Sequence, residues 1–262
     1  MIGIFDSGVG GMTVARAIEQ FCPGYPLVYF GDIARTPYGS KSRETIRRYG
    51  INNTEFLLDR GAELIVIACN SAASAALDEL KERFPVPILD VITPAVDRAV
   101  ARSDKGRIGV IGTRATIKSD VYEQAIRQRR PECRVFSQAC PLLVPLVEEG
   151  WLARRETKMI LRRYLHPLRC RQIDTLVLGC THYPLLSPLI SRRAGRRVTL
   201  IDSSIEVARS VASYLDTHPD LARKLQSSGT ESRFFVSDLT DTASLLADKI
   251  FGRHISLEKI DV

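Results

Sequence analysis

Short apolar runs alternate along this chain with longer segments whose apolar positions recur every three or four residues. The runs fall at 2–5, 27–30, 64–68 and 88–91, and again at 108–111, 134–138, 175–178 and 198–201. The longer segments fall at 11–22, 43–60 and 72–83, then at 117–129, 155–165, 185–193 and 205–215. Runs of four or five apolar residues fit buried strands, and the wider spacing fits helices with one apolar face. Strand and helix in near-strict alternation predict βαβ units, mostly parallel sheets and an α/β fold.

Two pieces of the pattern occur twice. Leu64-Ile-Val-Ile-Ala-Cys69-Asn70-Ser71 is echoed by Thr175-Leu-Val-Leu-Gly-Cys180-Thr181-His182, 111 residues later. Ile2-Gly-Ile-Phe-Asp-Ser7 is echoed by Ile108-Gly-Val-Ile-Gly-Thr113, 106 residues later. Nearly equal offsets in the same order imply duplication, and each half is too long for a solenoid repeat. Two similar α/β lobes are expected, with the chain crossing between them near Pro94. The pattern does not say which lobe the last 60 or so residues join.

At 262 residues and 45% hydrophobic, the chain can bury one large core or two medium ones. No apolar run approaches the roughly 18 residues of a membrane span. The sequence starts on a strand-like run with no charged segment before a long apolar one, so a signal peptide is not expected and a cytoplasmic location is. The net charge of +7 and pI near 9.2 raise a nucleic-acid reading. Its carriers, however, are scattered pairs: Arg47-Arg48, Arg129-Arg130, Arg154-Arg155, Arg162-Arg163, Arg192-Arg193 and Arg196-Arg197. Most lie in helix-like segments without interleaved aromatics, which favours solvated helix faces. Neither a nucleic-acid nor a membrane partner is expected, although the charge can steer small anions. Six cysteines, at 22, 69, 133, 140, 170 and 180, show no CxxC and no Cys/His ligand spacing, so no metal is expected. Free thiols are expected, with Cys22, Cys133, Cys140 and Cys170 as packing or incidental residues.

Open α/β sheets bind ligands beyond the carboxyl ends of their strands. Asp6-Ser7-Gly8-Val-Gly10-Gly11, Cys69-Asn70-Ser71, Gly112-Thr113 and Cys180-Thr181-His182 all fall there, and facing lobes would bring them to one cleft. The glycine loop is no dinucleotide fingerprint, because Thr13 stands where a third glycine would be, and no Gly-Lys-Ser/Thr follows it. It reads either as peptide N–H groups offered to an anion at a helix start or as a tight turn with close helix packing. Asp6, a carboxylate at the end of an apolar strand, needs a role or a partner. Cys69 and Cys180 each follow a strand and precede a helix-like segment, an environment expected to lower a thiol pKa. Two thiols in matching halves suit a reaction that removes a proton from one face of a carbon and returns one to the other. A nucleophilic Cys/His pair would leave one thiol spare, and a redox pair would need the two thiols reactive together. His182 is placed to assist Cys180. Glu148 reaches either a cleft wall or an exposed helix end. The loop around Pro37, Tyr38 and Gly39 carries an aromatic hydroxyl and free backbone, consistent with a substrate rim.

Six phrases run nearly the length of the chain: Phe5-Asp-Ser-Gly-Val-Gly-Gly11, Tyr29-Phe-Gly-Asp32, Pro37-Tyr-Gly39, Ala68-Cys-Asn70, Ala139-Cys-Pro-Leu-Leu-Val-Pro-Leu-Val-Glu148 and Gly179-Cys-Thr-His-Tyr-Pro184. Together they resemble the glutamate racemases, within the cofactor-independent aspartate/glutamate racemase family. The resemblance implies interconversion of L- and D-glutamate with no cofactor, supplying D-glutamate for peptidoglycan, by a protein that forms a homodimer. It implies two lobes related by pseudo-twofold symmetry with the active site between them. Residues 1–94 and 205–262 would form the first, with Asp6 and Cys69, and 95–204 the second, with Glu148, Cys180 and His182. Cys69 and Cys180 would be the acid/base thiols, Asp6 assisting Cys69, and Glu148 and His182 assisting Cys180. Asp6, Ser7, Pro37, Tyr38, Gly39, Asn70, Ser71, Thr113, Thr181 and His182 would hold the substrate.

Some positions depart from the family's usual residues. Ser71 stands for threonine, Ala72-Ala73 for Ala-Ser, Thr93-Pro-Ala95 for Glu-Pro-Gly and Met12 for leucine; none removes a catalytic group. Two other functions are open: a racemase of the same family acting on aspartate or another acidic amino acid, and a non-enzymatic binder of acidic amino acids. The binder has no use for two thiols.

Overall fold

The structure, a computed structural model, describes residues 1–227 and 231–261. The chain opens with β1 (Ile2–Asp6), α1 (Met12–Phe21), β2 (Leu27–Gly31), α2 (Arg43–Leu58), β3 (Leu64–Ile67), α3 (Asn70–Arg83), β4 (Ile88–Asp90) and α4 (Ile92–Arg102). A second round follows: β5 (Arg107–Gly112), α5 (Arg114–Lys118), α6 (Val121–Arg129), β6 (Arg134–Ala139), α7 (Leu143–Glu148), α8 (Arg155–Cys170), β7 (Thr175–Gly179), α9 (Ser187–Ala194) and β8 (Thr199–Asp202). The remainder forms α10 (Ser203–Thr217), α11 (Pro219–Ser227), β9 (Arg233–Val236), α12 (Asp241–Phe251) and β10 (Leu257–Lys259).

Two parallel sheets result. The larger runs β10-β9-β2-β1-β3-β4 and the smaller β6-β5-β7-β8. Every residue of β1, β2, β3 and β7 is buried, which explains their unbroken apolar runs: helices cover both faces of the sheets. The sequence echoes are equivalent places in these sheets. β1 lies between β2 and β3, as β5 lies between β6 and β7, so Gly3 and Gly109 each sit on an inner strand. A Cβ on Gly3 would lie 2.7 Å from Ala62 Cβ and 2.9 Å from Ile65 Cδ1. One on Gly109 would lie 2.7 Å from Ile173 Cδ1 and 3.1 Å from Leu176 Cδ1.

Three features refine the sequence expectation. Pro94 falls in the connection between the two sheets, as the third residue of α4, where the missing N–H has no helical acceptor to lose. Asp90 starts that helix by accepting from the Ile92 and Thr93 N–H groups at 2.7 and 2.9 Å. The expected helix over 117–129 is two helices, α5 and α6, separated at Asp120 in the left-handed region (φ 55°), which aspartate tolerates better than most residues. Finally, the C-terminal segment contributes β9 and β10, which pair beside β2 in the larger sheet. Short strands such as Leu257–Lys259, with one apolar residue, leave almost no periodic signal. The larger sheet thus draws on residues before 91 and after 232, and the smaller on 107–202. The two connections between them, α4 and α10, pack side by side.

The two inner-strand glycines should differ in tolerance. Gly3→Ala meets the short Cβ of Ala62 and should cost about 1–3 kcal/mol, roughly 2–10 °C in Tm. Gly109→Ala meets the methyl ends of Ile173 and Leu176, which can rotate away, and should cost less. Thermal denaturation of both variants checks this order, and a larger loss at Gly109 would contradict it.

Candidate active site

Cys69 follows β3 with Ala68 between and is the N-cap of α3; Cys180 follows Gly179 of β7 and precedes a short 3-10 turn at Tyr183–Leu186. From these matching strand ends both thiols line one narrow cavity, each only 5% exposed. Ser7, Thr36, Pro37, Tyr38, Gly39, Asn70, Ser71, Thr113, Val144, Thr181 and His182 complete its wall. Every sequence-predicted site residue is in that wall except Asp6 and Glu148. Those two lie behind it and reach it through Thr181 and His182.

Asp6 is fully buried at the end of β1. Its Oδ2 accepts the Gly8 and Gly11 N–H groups, both at 3.0 Å, and its Oδ1 accepts the Thr181 hydroxyl at 3.3 Å. Burial pushes its pKa up, against the pull of His182 and these donors. The loop's peptide N–H groups at 8 and 11 are therefore committed inward, and the glycines answer a packing demand. A Cβ on Gly10 would lie 2.4 Å from His182 Nδ1 and 2.7 Å from Thr181 Oγ1, and one on Gly39 would lie 2.5 Å from Thr113 Cβ. Of the two readings of the glycine loop, the tight turn with close packing describes it. The Thr13 hydroxyl closes the seam, 2.8 Å from Gly10 O and 3.1 Å from Thr181 O.

The polar groups around Cys69 are ordered from across the cleft. Ser71 Oγ lies 2.9 Å from Thr113 Oγ1 and 3.4 Å from Thr116 Oγ1. The Tyr122 hydroxyl donates to Asn70 Oδ1 at 2.6 Å. That leaves Asn70 Nδ2 buried with no acceptor, a donor whose unmet bond costs about 1–3 kcal/mol until something accepts it. Cys69 Sγ lies 3.4 Å from Ser7 Oγ. Burial, and next the negative charge of Asp6, push the Cys69 thiol up to about 12, outweighing its bonds to Ser7 and the Ala72 N–H. The lowering expected from the helix start is overridden by desolvation.

Cys180 has different company. His182 Nδ1 lies 3.8 Å from its sulfur, and His182 Nε2 lies 3.1 Å from Glu148 Oε1. Burial works against an imidazolium here, yet the Cys180 thiolate and the Glu148 carboxylate overcome it and hold His182 well above the ordinary histidine range. Glu148 ends α7 with its side chain 32% exposed, so it is a helix end and a partner of the cleft histidine at once.

Tyr38 departs from expectation. Its ring is buried and its hydroxyl points away from the rim, donating to Asp32 Oδ2 and accepting from Asn53 Nδ2 at 3.0 Å. Asp32 is fully buried and also takes Arg35 Nε at 2.7 Å and the Ser237 hydroxyl at 3.0 Å. Tyr38 thus offers the cavity its backbone and ring edge, while Asp32 anchors the loop. Sequence reasoning missed Asp32 although the signal was present: like Asp6 it is a carboxylate after an apolar strand. Thr36, Thr116, Tyr122 and Val144 carried no such mark. The other cysteines are free, Cys22, Cys133 and Cys140 buried and Cys170 exposed. Among the described residues no group of three or more His, Cys, Asp or Glu side chains could hold a metal, and no helix is long and apolar enough to cross a membrane.

Comparison with known proteins follows the same lines. Residues 9–211 match the Asp/Glu/hydantoin racemase family. The glutamate racemase of Syntrophus aciditrophicus is 46% identical over 258 residues, covering 97% of this chain and 93% of that protein. The crystal structure of a Bacillus anthracis glutamate racemase isoform superposes with a TM-score of 0.93 at 36% identity, covering 100% of this chain and 97% of that one. The glutamate racemase of Francisella tularensis, solved in complex with D-glutamate, superposes at 0.90 with 34% identity, covering 99% and 97%.

The environment of Cys69 predicts slow chemistry in the ligand-free protein. At pH 7–8, alkylation followed by peptide mass spectrometry should mark exposed Cys170 early and Cys69 late. The Cys69 rate should climb as the pH is raised toward its elevated pKa. Rapid labelling of Cys69 at neutral pH would contradict the thiol described here.

Proposed function

The chain belongs to the Asp/Glu/hydantoin racemase family, and on that footing we propose that it is an isomerase, a glutamate racemase that moves protons between Cα of glutamate and two thiols, Cys69 and Cys180, without a cofactor. One observation carries the reading: two cysteines from equivalent strand ends of two sheets face a single cavity that also receives the polar side chains of Ser7, Asn70, Ser71, Thr113, Thr181 and His182. Binding alone has no use for that arrangement; inversion at a carbon needs an acid and a base on opposite faces.

In one direction the Cys180 thiolate, paired with His182, takes the Cα proton while the Cys69 thiol gives its proton to the other face. The thiols exchange protonation states, and the reverse reaction starts from the exchanged state. The raised pKa of Cys69 fits a thiol that holds its proton until a substrate enters. Glu148 positions His182 through the bond to Nε2. Asp6 assists Cys69 through its charge rather than through a hydrogen bond, since its oxygens are engaged by Gly8, Gly11 and Thr181. As the Cα–H bond breaks, negative charge spreads into the α-carboxylate, and donors already in place lower the cost. The unpartnered Asn70 Nδ2, the hydroxyls of Ser7, Ser71, Thr113 and Thr181, and the backbone around Pro37, Tyr38 and Gly39 are suited to the substrate's carboxylates and ammonium.

The same reading assigns residues 1–94 with 205–262 to one lobe and 95–204 to the other; within the first, 228–230 and 262 lie outside the described residues. It makes the protein a cytoplasmic homodimer that supplies D-glutamate for peptidoglycan.

Purified protein should racemise L-glutamate, followed by circular dichroism, with no added pyridoxal phosphate, and should place solvent deuterium at Cα. Cys69→Ser and Cys180→Ser should each lower turnover by about 100-fold or more, because an alcohol is a far weaker acid than a thiol. Near-normal racemisation by either variant in both directions would end the two-base scheme. Faster turnover of L-aspartate than of L-glutamate would move the substrate assignment to the aspartate enzymes.

A further inference from the structure

The positive charge of this protein is concentrated in one place. Residues 154–197 contain eleven lysines and arginines against two acids, Glu156 and Asp174, a surplus larger than the +7 of the whole chain. Asp174 is occupied by the Ser103 hydroxyl and the Lys105 N–H, each at 2.6 Å. Elsewhere in the fold arginines find carboxylates: Arg83 with Glu55, Arg127 with Glu123, Arg253 with Glu19. Among the described residues, no lysine or arginine of 154–197 makes an ion pair.

Within this stretch α8 and α9 pack together and leave a small recess lined by Arg162, Leu165, His166 and Arg169 of α8 and by Arg193 of α9. On α8 these residues fall at i, i+3, i+4 and i+7, a single stripe. Buried Leu165 forms the floor, and the three arginines with His166 the rim. Arg169 and Arg193 sit in the last turns of their helices, where the helix dipole favours a cation. Arg162 sits mid-helix one turn before His166, whose Nε2 lies 3.6 Å from Cys170 Sγ. Arg162, Arg169 and Arg193 face one recess without a carboxylate partner, and an anion there would relieve their mutual repulsion. Arginine forks match phosphate oxygens two at a time, and a small recess without a Phe, Tyr or Trp ring suits a compact phosphate group better than a nucleic-acid strand.

We propose that the α8–α9 recess is a binding site for the oligophosphate group of a small molecule, held by Arg162, His166, Arg169 and Arg193. It lies in the second lobe, and none of its residues lines the cysteine cavity. The site stands independently of the racemase reading.

Isothermal titration calorimetry of the intact protein with inorganic pyrophosphate, at low and at physiological salt, tests it. One saturable site per chain is expected, weaker at the higher salt. Arg162→Ala/Arg193→Ala should weaken binding by about tenfold or more, and Arg162→Lys/Arg193→Lys, which keeps the charge but loses the forks, should fall between. Arg48→Ala/Lys81→Ala removes equal charge from exposed positions outside the recess and should leave binding unchanged. Absence of saturable binding, or equal weakening in that control, would overturn the site. Binding of heparin or duplex DNA through Arg162 and Arg193 with none of pyrophosphate would replace it with a surface for extended polyanions.

Discussion

A carboxylate with no exposed surface is the fixed point of this molecule. Asp6 is removed from water and must be compensated by donors, of which it has three: two peptide N–H groups and the Thr181 hydroxyl. The two N–H bonds fold residues 7–11 around the end of β1, and the Tyr29 hydroxyl fastens the same loop through Gly8 O at 2.6 Å. That curvature presents Gly10 as a bare backbone against Thr181 and His182. The second sheet can then come close enough for its thiol to share a cavity with Cys69. Satisfying one buried charge and closing the cleft are one act.

The two thiols are alike in where the fold puts them and unlike in what surrounds them. Cys69 has a hydroxyl and a nearby negative charge, which favour the protonated sulfur. Cys180 has an imidazole that can balance a thiolate, steadied by a carboxylate. The two sheets share the positions and differ in the chemistry around them. Where the first half has Asp6, the second has Gly112, and a glutamate at the end of a different helix enters instead.

Much of this was visible in the residues. The runs ending at Cys69 and Cys180 were legible because strands covered on both faces must be apolar throughout, and that same burial makes the polar residues just beyond them conspicuous. The echo of Ile2–Ser7 in Ile108–Thr113 told of two sheets for the same reason. The orientation of side chains was not legible. Tyr38 looked like a hydroxyl on a rim, but a buried Asp32 outcompetes the cavity for it. Cys69 looked like a thiol activated by a helix start, but the loss of water around it weighs more. Each error came from reading a local preference where a long-range contact decides.

The placement of β9 beside β2 has a consequence for the order in which the protein comes into being. As the chain is synthesised from its N-terminus, all four strands of the smaller sheet emerge before residue 233. Until then β2 keeps one row of peptide groups unpaired on the flank of an incomplete sheet, an open template for any other extended chain. The first half to be translated is therefore the last to be finished, and a nascent chain that stalls before residue 236 has both thiol-bearing strands and an unsealed edge.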